Sequence, residues 1–239
     1  MDLNFGLAAL IGIAPAMILM YAVLRKYTYP AVEKPFFSDP YFFGLFVVGM
    51  IAGTIIFAVY TYFWGNVVIN ALLFGILEIM VLLVIMNLKR FHGNSDTVFY
   101  GYGLGLGFGA TASVGMIFYL TSAASSLEGA VTAYDYAILI AYTVSKTMML
   151  SSAGLTIGEG VARLSILEFT SQAMLMNMIF HLILIPWFMN PETLLGVIGI
   201  IGALVLSSAY LYKTAFSDLP EVVRSVLRQQ GVRRDDLPK

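Results

Sequence analysis

Residues 70–90 read NALLFGILEIMVLLVIMNLKR, an apolar stretch with a single carboxylate, Glu78, near its middle. A helix needs about 20 mostly apolar residues to cross the hydrocarbon core of a bilayer, and this stretch has that length. A charged side chain at the centre of a bilayer costs about 2.5 to 3.5 kcal/mol on insertion scales. The stretch therefore predicts a transmembrane helix whose carboxylate is stabilised by a polar group from elsewhere in the chain.

The composition of the whole chain indicates a polytopic membrane protein. Of its residues 59% are hydrophobic and only 11% are charged, and the mean hydropathy is +0.86. Values of this kind are typical of chains that lie mostly within a bilayer. The formal net charge of -1 gives no sign of a nucleic-acid-binding surface, so we predict no nucleic-acid partner. The absence of cysteine excludes disulfides, thiolate metal sites and a cysteine nucleophile.

Seven stretches of the chain are long and apolar enough to span a bilayer, which predicts an all-α protein with about seven transmembrane helices. The seven-helix transmembrane domain would cover residues 1–213, and residues 214–239 would form a tail. Because the links near residues 64 and 190 are very short, we expect helices two and three, and helices six and seven, to be antiparallel neighbours. The predicted spans are residues 5–24, 41–63, 66–88, 97–120, 133–156, 171–189 and 192–213.

The basic residues are sorted by loop. Of the 13 Lys and Arg residues, all except Lys146 fall in alternate connections between the spans, at the end of the last span or in the tail. The opposite side carries only acidic residues, namely Asp2, Glu128, Asp135 and Glu192. By the positive-inside rule, this pattern predicts a multi-pass protein of the cell membrane with its N-terminus outside and its C-terminus in the cytoplasm.

The tail contains one further helical pattern, SDLPEVVRSVLRQQG at residues 217–231. Ser217 or Asp218 would cap its N-terminus, Pro220 suits a first turn, and Gly231 would end it. Its apolar positions lie on one face, so we expect a short amphipathic helix along the cytoplasmic surface of the membrane. These positions are Val222, Val223, Val226 and Leu227.

Three ionisable residues lie inside the predicted spans at about the same depth. At 1.5 Å per helical residue, Glu78 and Lys146 are each roughly 18 to 20 Å below the outer ends of their helices. His181 is roughly 15 Å above the inner end of its own helix. Asn177 lies one turn before His181 on the same helix face. We therefore predict a shared polar cluster in the middle of the membrane.

The cluster admits three interpretations from the residues alone. In the structural one, Glu78 pairs with Lys146 and the pair holds two helices together. In the catalytic one, Glu78 is a general base or metal ligand with His181, and Asn177 adds a polar group. A catalytic zinc site needs three protein ligands and an open position, however, and the spans contain only one histidine. The third interpretation is a path for protons or small ions, which intramembrane carboxylates and histidines also mark.

The fourth span contains the glycine-rich stretch YGYGLGLGFGATASVG, at residues 100–115. Gly101, Gly105 and Gly109 recur every four residues, and Gly103 and Gly107 repeat the spacing on nearly the opposite face. Small residues at this spacing let helix backbones approach closely. The pattern therefore predicts a central helix that is packed tightly between two others.

The order of these features resembles that of the intramembrane CAAX-type and PrsW-type proteases and of the related seven-helix scaffold subunit of γ-secretase. The resemblance covers most of the chain: APAMILMYAVLRK at residues 14–26, a Glu-bearing helix that ends in NLKRF, the stretch YGYGLGLGFG, and FHLIL in a late helix. The scaffold subunit is similar in its seven helices, its termini and a small-residue series in helix four. Gly105, Gly109 and Ser113 reproduce that series.

The protease motifs are incomplete in this chain. Only Glu78 matches the Glu pair of the first motif, and the basic position falls on an apolar residue, Val81 or Leu82. In the second motif Gly105, Gly107, Phe108 and Gly109 fit. Its Glu and Asn fall on Ala112 and Ser113, and the late His-x-x-x-Asn has His181 but Ile185 in place of Asn.

The resemblance therefore implies a non-catalytic scaffold, in contact with the bilayer and with other membrane proteins or transmembrane segments. One alternative is an active metalloprotease in which zinc is held by Glu78 and His181, with Lys146 and Asn177 in the same site. A second alternative is a transporter of protons or small ions. For the non-catalytic protein we expect no cofactor.

Overall fold

The structure is a computed structural model that describes residues 3–62, 66–126 and 132–231. This part of the chain contains helices and no strand, and seven of its helices are long and apolar enough to cross a membrane. The all-α, multi-pass prediction is confirmed. The helices are α1 (Leu3–Leu24), α2 (Asp39–Tyr62), α3 (Val67–Met86), α4 (Thr97–Ser126), α5 (Ala133–Ala162), α6 (Ile166–Met189), α7 (Leu194–Leu211) and α8 (Leu219–Gln229).

The link between α5 and α6 is much shorter than the sequence predicted. We expected residues 157–170 to lie outside the spans, but α5 continues to Ala162 and α6 begins at Ile166. Apolar length marks where a helix leaves the hydrocarbon, and backbone hydrogen bonds continue the helix beyond that point. The last turn of α5 carries an ion pair from Arg163 Nε to Glu159 Oε1 at 3.0 Å, and Leu164 at φ 61° ends the helix.

The centre of the fold is the close contact of α4 with α2 on one side and with α5 on the other. A Cβ built on Gly101 would overlap the carbonyl oxygen of Gly154 in α5, and one on Gly107 would overlap that of Phe46 in α2. The two glycine faces of α4 therefore pack against two different helices, as the sequence predicted. Around this centre, α1 packs on α4, while α6 and α7 pack on α5.

The third helix does not pair with the second along its length. Although α6 and α7 are close neighbours as expected, α3 packs mainly on α6 and contacts α2 at only a few residues. The small residues Gly49 and Gly53 of α2 already contact the backbone of α4. Gly75 of α3 instead faces α6, where an added Cβ would be 3.1 Å from the Cα of Met178. A short link brings two helix ends together without fixing which faces pack.

The tail helix α8 continues directly from α7 through a π-helical segment, Tyr212–Asp218. Gly231 at φ 73° follows it, where the sequence predicted its end. Its apolar face is buried in the same apolar cluster as Met86, Phe91 and Val161. The face is thus covered by the protein itself and does not lie on the membrane surface as we expected. The buried residues are Leu219, Val222, Val223, Val226 and Leu227.

The links that carry the basic residues lie together at one end of the helix bundle, which we call the cationic end. The backbone N–H of Gly93 donates to the carbonyl of Val161 at 3.3 Å, and the Gln230 side chain donates to the carbonyl of Gly93 at 2.8 Å. The Arg90 guanidinium lies 6.0 Å from the ring centre of Tyr41. The α1–α2, α3–α4 and α5–α6 links and α8 therefore share this end.

Candidate functional site

Three helices bring the four candidate site residues together, and we call Glu78, Lys146, Asn177 and His181 the polar quartet. Lys146 Nζ lies 2.6 Å from both carboxylate oxygens of Glu78. His181 Nε2 lies 3.0 Å from Lys146 Nζ and 3.0 Å from Glu78 Oε2. Asn177 Nδ2 donates to the same Oε2 at 3.0 Å. The predicted cluster of Glu78, Lys146 and His181 therefore exists, and Asn177 belongs to it.

The local structure of α3 and α6 explains how these side chains meet. Asn177 and His181 are four residues apart, so they project from the same face of α6. That face approaches α3 at Gly75, whose carbonyl accepts a hydrogen bond from Asn177 Nδ2 at 2.9 Å. Glu78 follows Gly75 by about one helical turn on the same side of α3. The absence of a side chain at Gly75 thus brings α6 close enough for both of its polar residues to reach Glu78.

The quartet is almost completely shielded from solvent. Lys146 is 2% exposed, Glu78 4%, His181 7% and Asn177 0%. A neutral His181 can either accept from the Lys146 ammonium or donate to Glu78 Oε2 through Nε2, depending on which ring nitrogen carries the proton, and both tautomers leave one ammonium and one carboxylate in the cluster. The ring centre of Phe180 lies 5.5 Å from Nζ and adds a cation–π contact. The cluster as a whole is then electrically neutral, which reduces the cost of burying it.

This arrangement does not fit a catalytic zinc site. Such a site needs three protein ligands and one open position. Glu78 and His181 are the two side chains that could ligate zinc, and Lys146 Nζ lies between them within hydrogen-bond distance of both. Among the residues that the structure describes, no group of three or more His, Cys, Asp and Glu side chains could hold a metal ion.

A cavity of about 30 Å³ adjoins the quartet in the region where α2 and α3 make few contacts. Its volume is sufficient for about one water molecule. Ala112 of α4 lines it and offers only a methyl group. The other walls are mainly aromatic and include Tyr60, Phe74, Tyr142 and Phe188.

The aromatic walls of the cavity were not among the residues that the sequence singled out. Tyr60 stacks edge-on against Phe74 with ring centres 4.8 Å apart, and Trp187 links Tyr142 to Phe188 with ring distances of 5.2 and 4.7 Å. Aromatic residues are common throughout these spans, so composition does not separate cavity-lining rings from lipid-facing ones. Only the position of α3 relative to α2 places Tyr60 beside Glu78.

Comparisons with models of protein families, with curated proteins and with solved structures give no match. The fold and the quartet therefore rest on the geometry of this chain, and the resemblance to intramembrane proteases and to the γ-secretase scaffold stays a hypothesis from the motifs. Over residues 3–62, 66–126 and 132–231, the structure shows seven helices that are long and apolar enough to cross a membrane, which fits an integral membrane protein, and a buried polar quartet.

Proposed function

We propose that this chain is a non-catalytic membrane scaffold that binds a transmembrane segment of another protein. In this proposal the polar quartet is a permanent structural element. The position of Lys146 Nζ, within 3.0 Å of both Glu78 and His181, is the observation that carries the proposal. The Lys146 ammonium lies between Glu78 and His181, which is the position that a metal ion bound by both side chains would have to occupy.

The hydrogen bonds around Glu78 also argue against a role as general base. A general base must lie within hydrogen-bond reach of the proton that it removes. Both carboxylate oxygens of Glu78 already accept from Lys146, and one of them also accepts from Asn177. Activating a water molecule in the adjoining cavity would require one of these bonds to break. The methyl group of Ala112 supplies no second carboxylate to help.

The gap between α2 and α3 supports the binding of a partner segment. These helices touch at only a few residues, and the cavity between them has apolar and aromatic walls. Without a hydrophobic driving force, helices associate in lipid through close packing and a few polar contacts. A partner helix that packed across the outside of this gap would gain contact with Phe57 and Tyr60 of α2, which are only half-buried.

Site-specific photo-crosslinking in native membranes tests the binding of a partner. We expect a photoreactive amino acid in place of Tyr60 to yield a protein adduct of one fixed mass, because Tyr60 lines the gap. The matched control is the same amino acid in place of Ile55, which lies on α2 and is 56% exposed. That position should label lipid only. Equal labelling of lipid from both positions, with no protein adduct, would contradict a scaffold that acts through this gap.

Metal analysis tests the non-catalytic part of the proposal. We expect the protein purified in mild detergent without chelator to hold substoichiometric zinc, and Glu78→Gln to leave that content unchanged. One zinc per chain that is lost in both Glu78→Gln and His181→Ala would support the metalloprotease instead.

One observation favours a second candidate, a proton carrier. Three titratable side chains, Glu78, Lys146 and His181, lie within 3.0 Å of one another beside a cavity large enough for about one water molecule. Proton-transporting membrane proteins use such chains of ionisable groups. A proton carrier predicts that the protein in liposomes speeds the collapse of an imposed pH gradient and that Glu78→Gln abolishes this effect. The scaffold predicts no difference from empty liposomes.

A further inference from the structure

A second recess in the fold lies at the cationic end, between the end of α1 and the start of α2. Its volume is about 520 Å³, which is within the range of small-molecule sites. It shares no lining residue with the cavity beside the quartet. Its walls are mostly apolar, and they carry one basic and one acidic side chain, Arg25 and Asp39. We call this recess the α1–α2 groove.

The α1–α2 groove lies where two membrane spans reach their ends. The first candidate span is Phe5–Leu24 and the second begins at Asp39, so Arg25 and Asp39 flank the hydrocarbon boundary. Tyr21 and Tyr29 line the groove and are 69% and 79% exposed. Tyrosine rings are enriched at this depth, where an apolar ring meets lipid and its hydroxyl meets water. The groove therefore opens to the headgroup region of the bilayer.

The two charges in the groove are not paired with each other. Both side chains are exposed, and neither forms a hydrogen bond or an ion pair with another residue of the described ranges 3–62, 66–126 and 132–231. The groove thus presents one cationic and one anionic group above apolar walls. Other polar side chains in the groove are few, and Thr28 already donates to the carbonyl of Leu24 at 3.2 Å.

We propose that the α1–α2 groove binds an aminophospholipid of the phosphatidylethanolamine type. The Arg25 guanidinium would donate two parallel hydrogen bonds to the lipid phosphate, which it matches in geometry. The primary ammonium of the headgroup would donate to the Asp39 carboxylate. An acyl chain would lie along Met20, Leu24 and Phe43, which line the groove.

The pairing of opposite charges distinguishes this headgroup from other common ones. A phosphatidylglycerol headgroup satisfies Arg25 but has no cation for Asp39. A phosphatidylcholine headgroup has a cation, but its quaternary ammonium has no N–H bond to donate to a carboxylate. A soluble phosphate compound would leave the apolar walls without a partner.

Native mass spectrometry of the full chain in delipidating detergent tests the proposal, with three lipids of identical acyl chains supplied together. Because the three lipids compete for the same folded molecules, the measured ratio of their adducts does not depend on how much of the protein stays folded in the detergent. We expect phosphatidylethanolamine to bind at least about tenfold better than phosphatidylcholine or phosphatidylglycerol, the lower limit for one added hydrogen bond to a charged group.

Two variants and two controls assign the preference to the groove. Arg25→Gln should weaken all three lipids, and Asp39→Asn should remove the preference for phosphatidylethanolamine over phosphatidylcholine. The matched controls are Lys26→Gln and Glu33→Gln, which change exposed charges of the same link that do not line the groove. Both should behave like the parent. Equal binding of the three lipids, a preference for phosphatidylglycerol, or controls that act like Arg25→Gln and Asp39→Asn would each overturn the proposal.

Discussion

The α4–α5 contact and the polar quartet hold helices together in opposite ways. Along α4–α5, helices touch backbone to backbone, and a Cβ on either Gly101 or Gly154 would overlap the carbonyl oxygen of the other. In the quartet, α3, α5 and α6 meet through a few hydrogen-bonded side chains. The first contact depends on the absence of side chains and the second on the pairing of charges.

This difference predicts which defects can be repaired. A large side chain at a packing glycine collides with backbone, and no change of a neighbouring side chain removes the collision. A charge left unpaired in the quartet, by contrast, ceases to be a defect when the other charge is removed as well. Steric and electrostatic contacts in the same protein should therefore respond differently to second-site substitutions.

The largest effect is expected for Gly105→Leu. A Cβ at this position would overlap the carbonyl oxygen of Leu150, so α5 would have to move. We expect a loss of about 4 kcal/mol or more in the free energy of unfolding, at the upper limit for single substitutions. Thermal unfolding and size-exclusion chromatography in mild detergent measure it.

Two further variants make the test of Gly105→Leu specific. Gly44→Leu is the matched control, because an added Cβ there meets no atom within 4 Å. Adding Leu150→Ala to Gly105→Leu should bring no recovery, since the obstacle is a backbone oxygen. Recovery in that double variant, or equal melting of the two Leu variants, would show that α4 and α5 are not in backbone contact.

A smaller effect is expected for Asn177→Leu. The substitution removes the hydrogen bonds from Nδ2 to the Gly75 carbonyl and to Glu78 Oε2, at 2.9 and 3.0 Å. The loss of a buried hydrogen bond to a charged group costs about 1 to 3 kcal/mol. Gln172→Leu on the exposed side of α6 is the control and should melt like the parent. If both variants melt alike, Asn177 does not support the quartet.

No effect on stability is expected from the variants that test which side the cationic end faces. The sequence contains no cysteine, so single Cys residues at Ser125 and Ser217 can be labelled cleanly. The basic loops predict that Cys at 125 reacts with an impermeant maleimide in intact cells and that Cys at 217 does not. The reverse pattern would place the cationic end outside.

The sequence predicts the seven spans and the α4 packing because both follow from local patterns. Apolar length marks a membrane helix, and glycines at every fourth residue mark a close contact. The polar quartet could be predicted in a different way, because Glu78, Lys146 and His181 lie at about the same depth in the membrane although they are far apart in the chain. A charge buried in lipid needs a partner at its own depth, so equal depth indicates contact.

The rest of the site depends on tertiary packing that no local pattern records. The position of α3 against α6 follows from the small surface at Gly75 and from the engagement of α2 with α4. The cavity beside Tyr60 exists only because of that arrangement. The amphipathic pattern of α8 suits packing on either a membrane surface or a protein surface. In this fold its apolar face packs against the protein.

A double-mutant cycle tests whether Glu78 and Lys146 form a structural pair. The free energy of unfolding in mild detergent is measured for Glu78→Leu, for Lys146→Leu and for the double variant. Each single substitution leaves a buried charge without its partner and should cost about 3 to 5 kcal/mol, whereas the double variant should regain most of that loss. A double variant no more stable than the worse single one would contradict the structural pair and favour a catalytic role for Glu78.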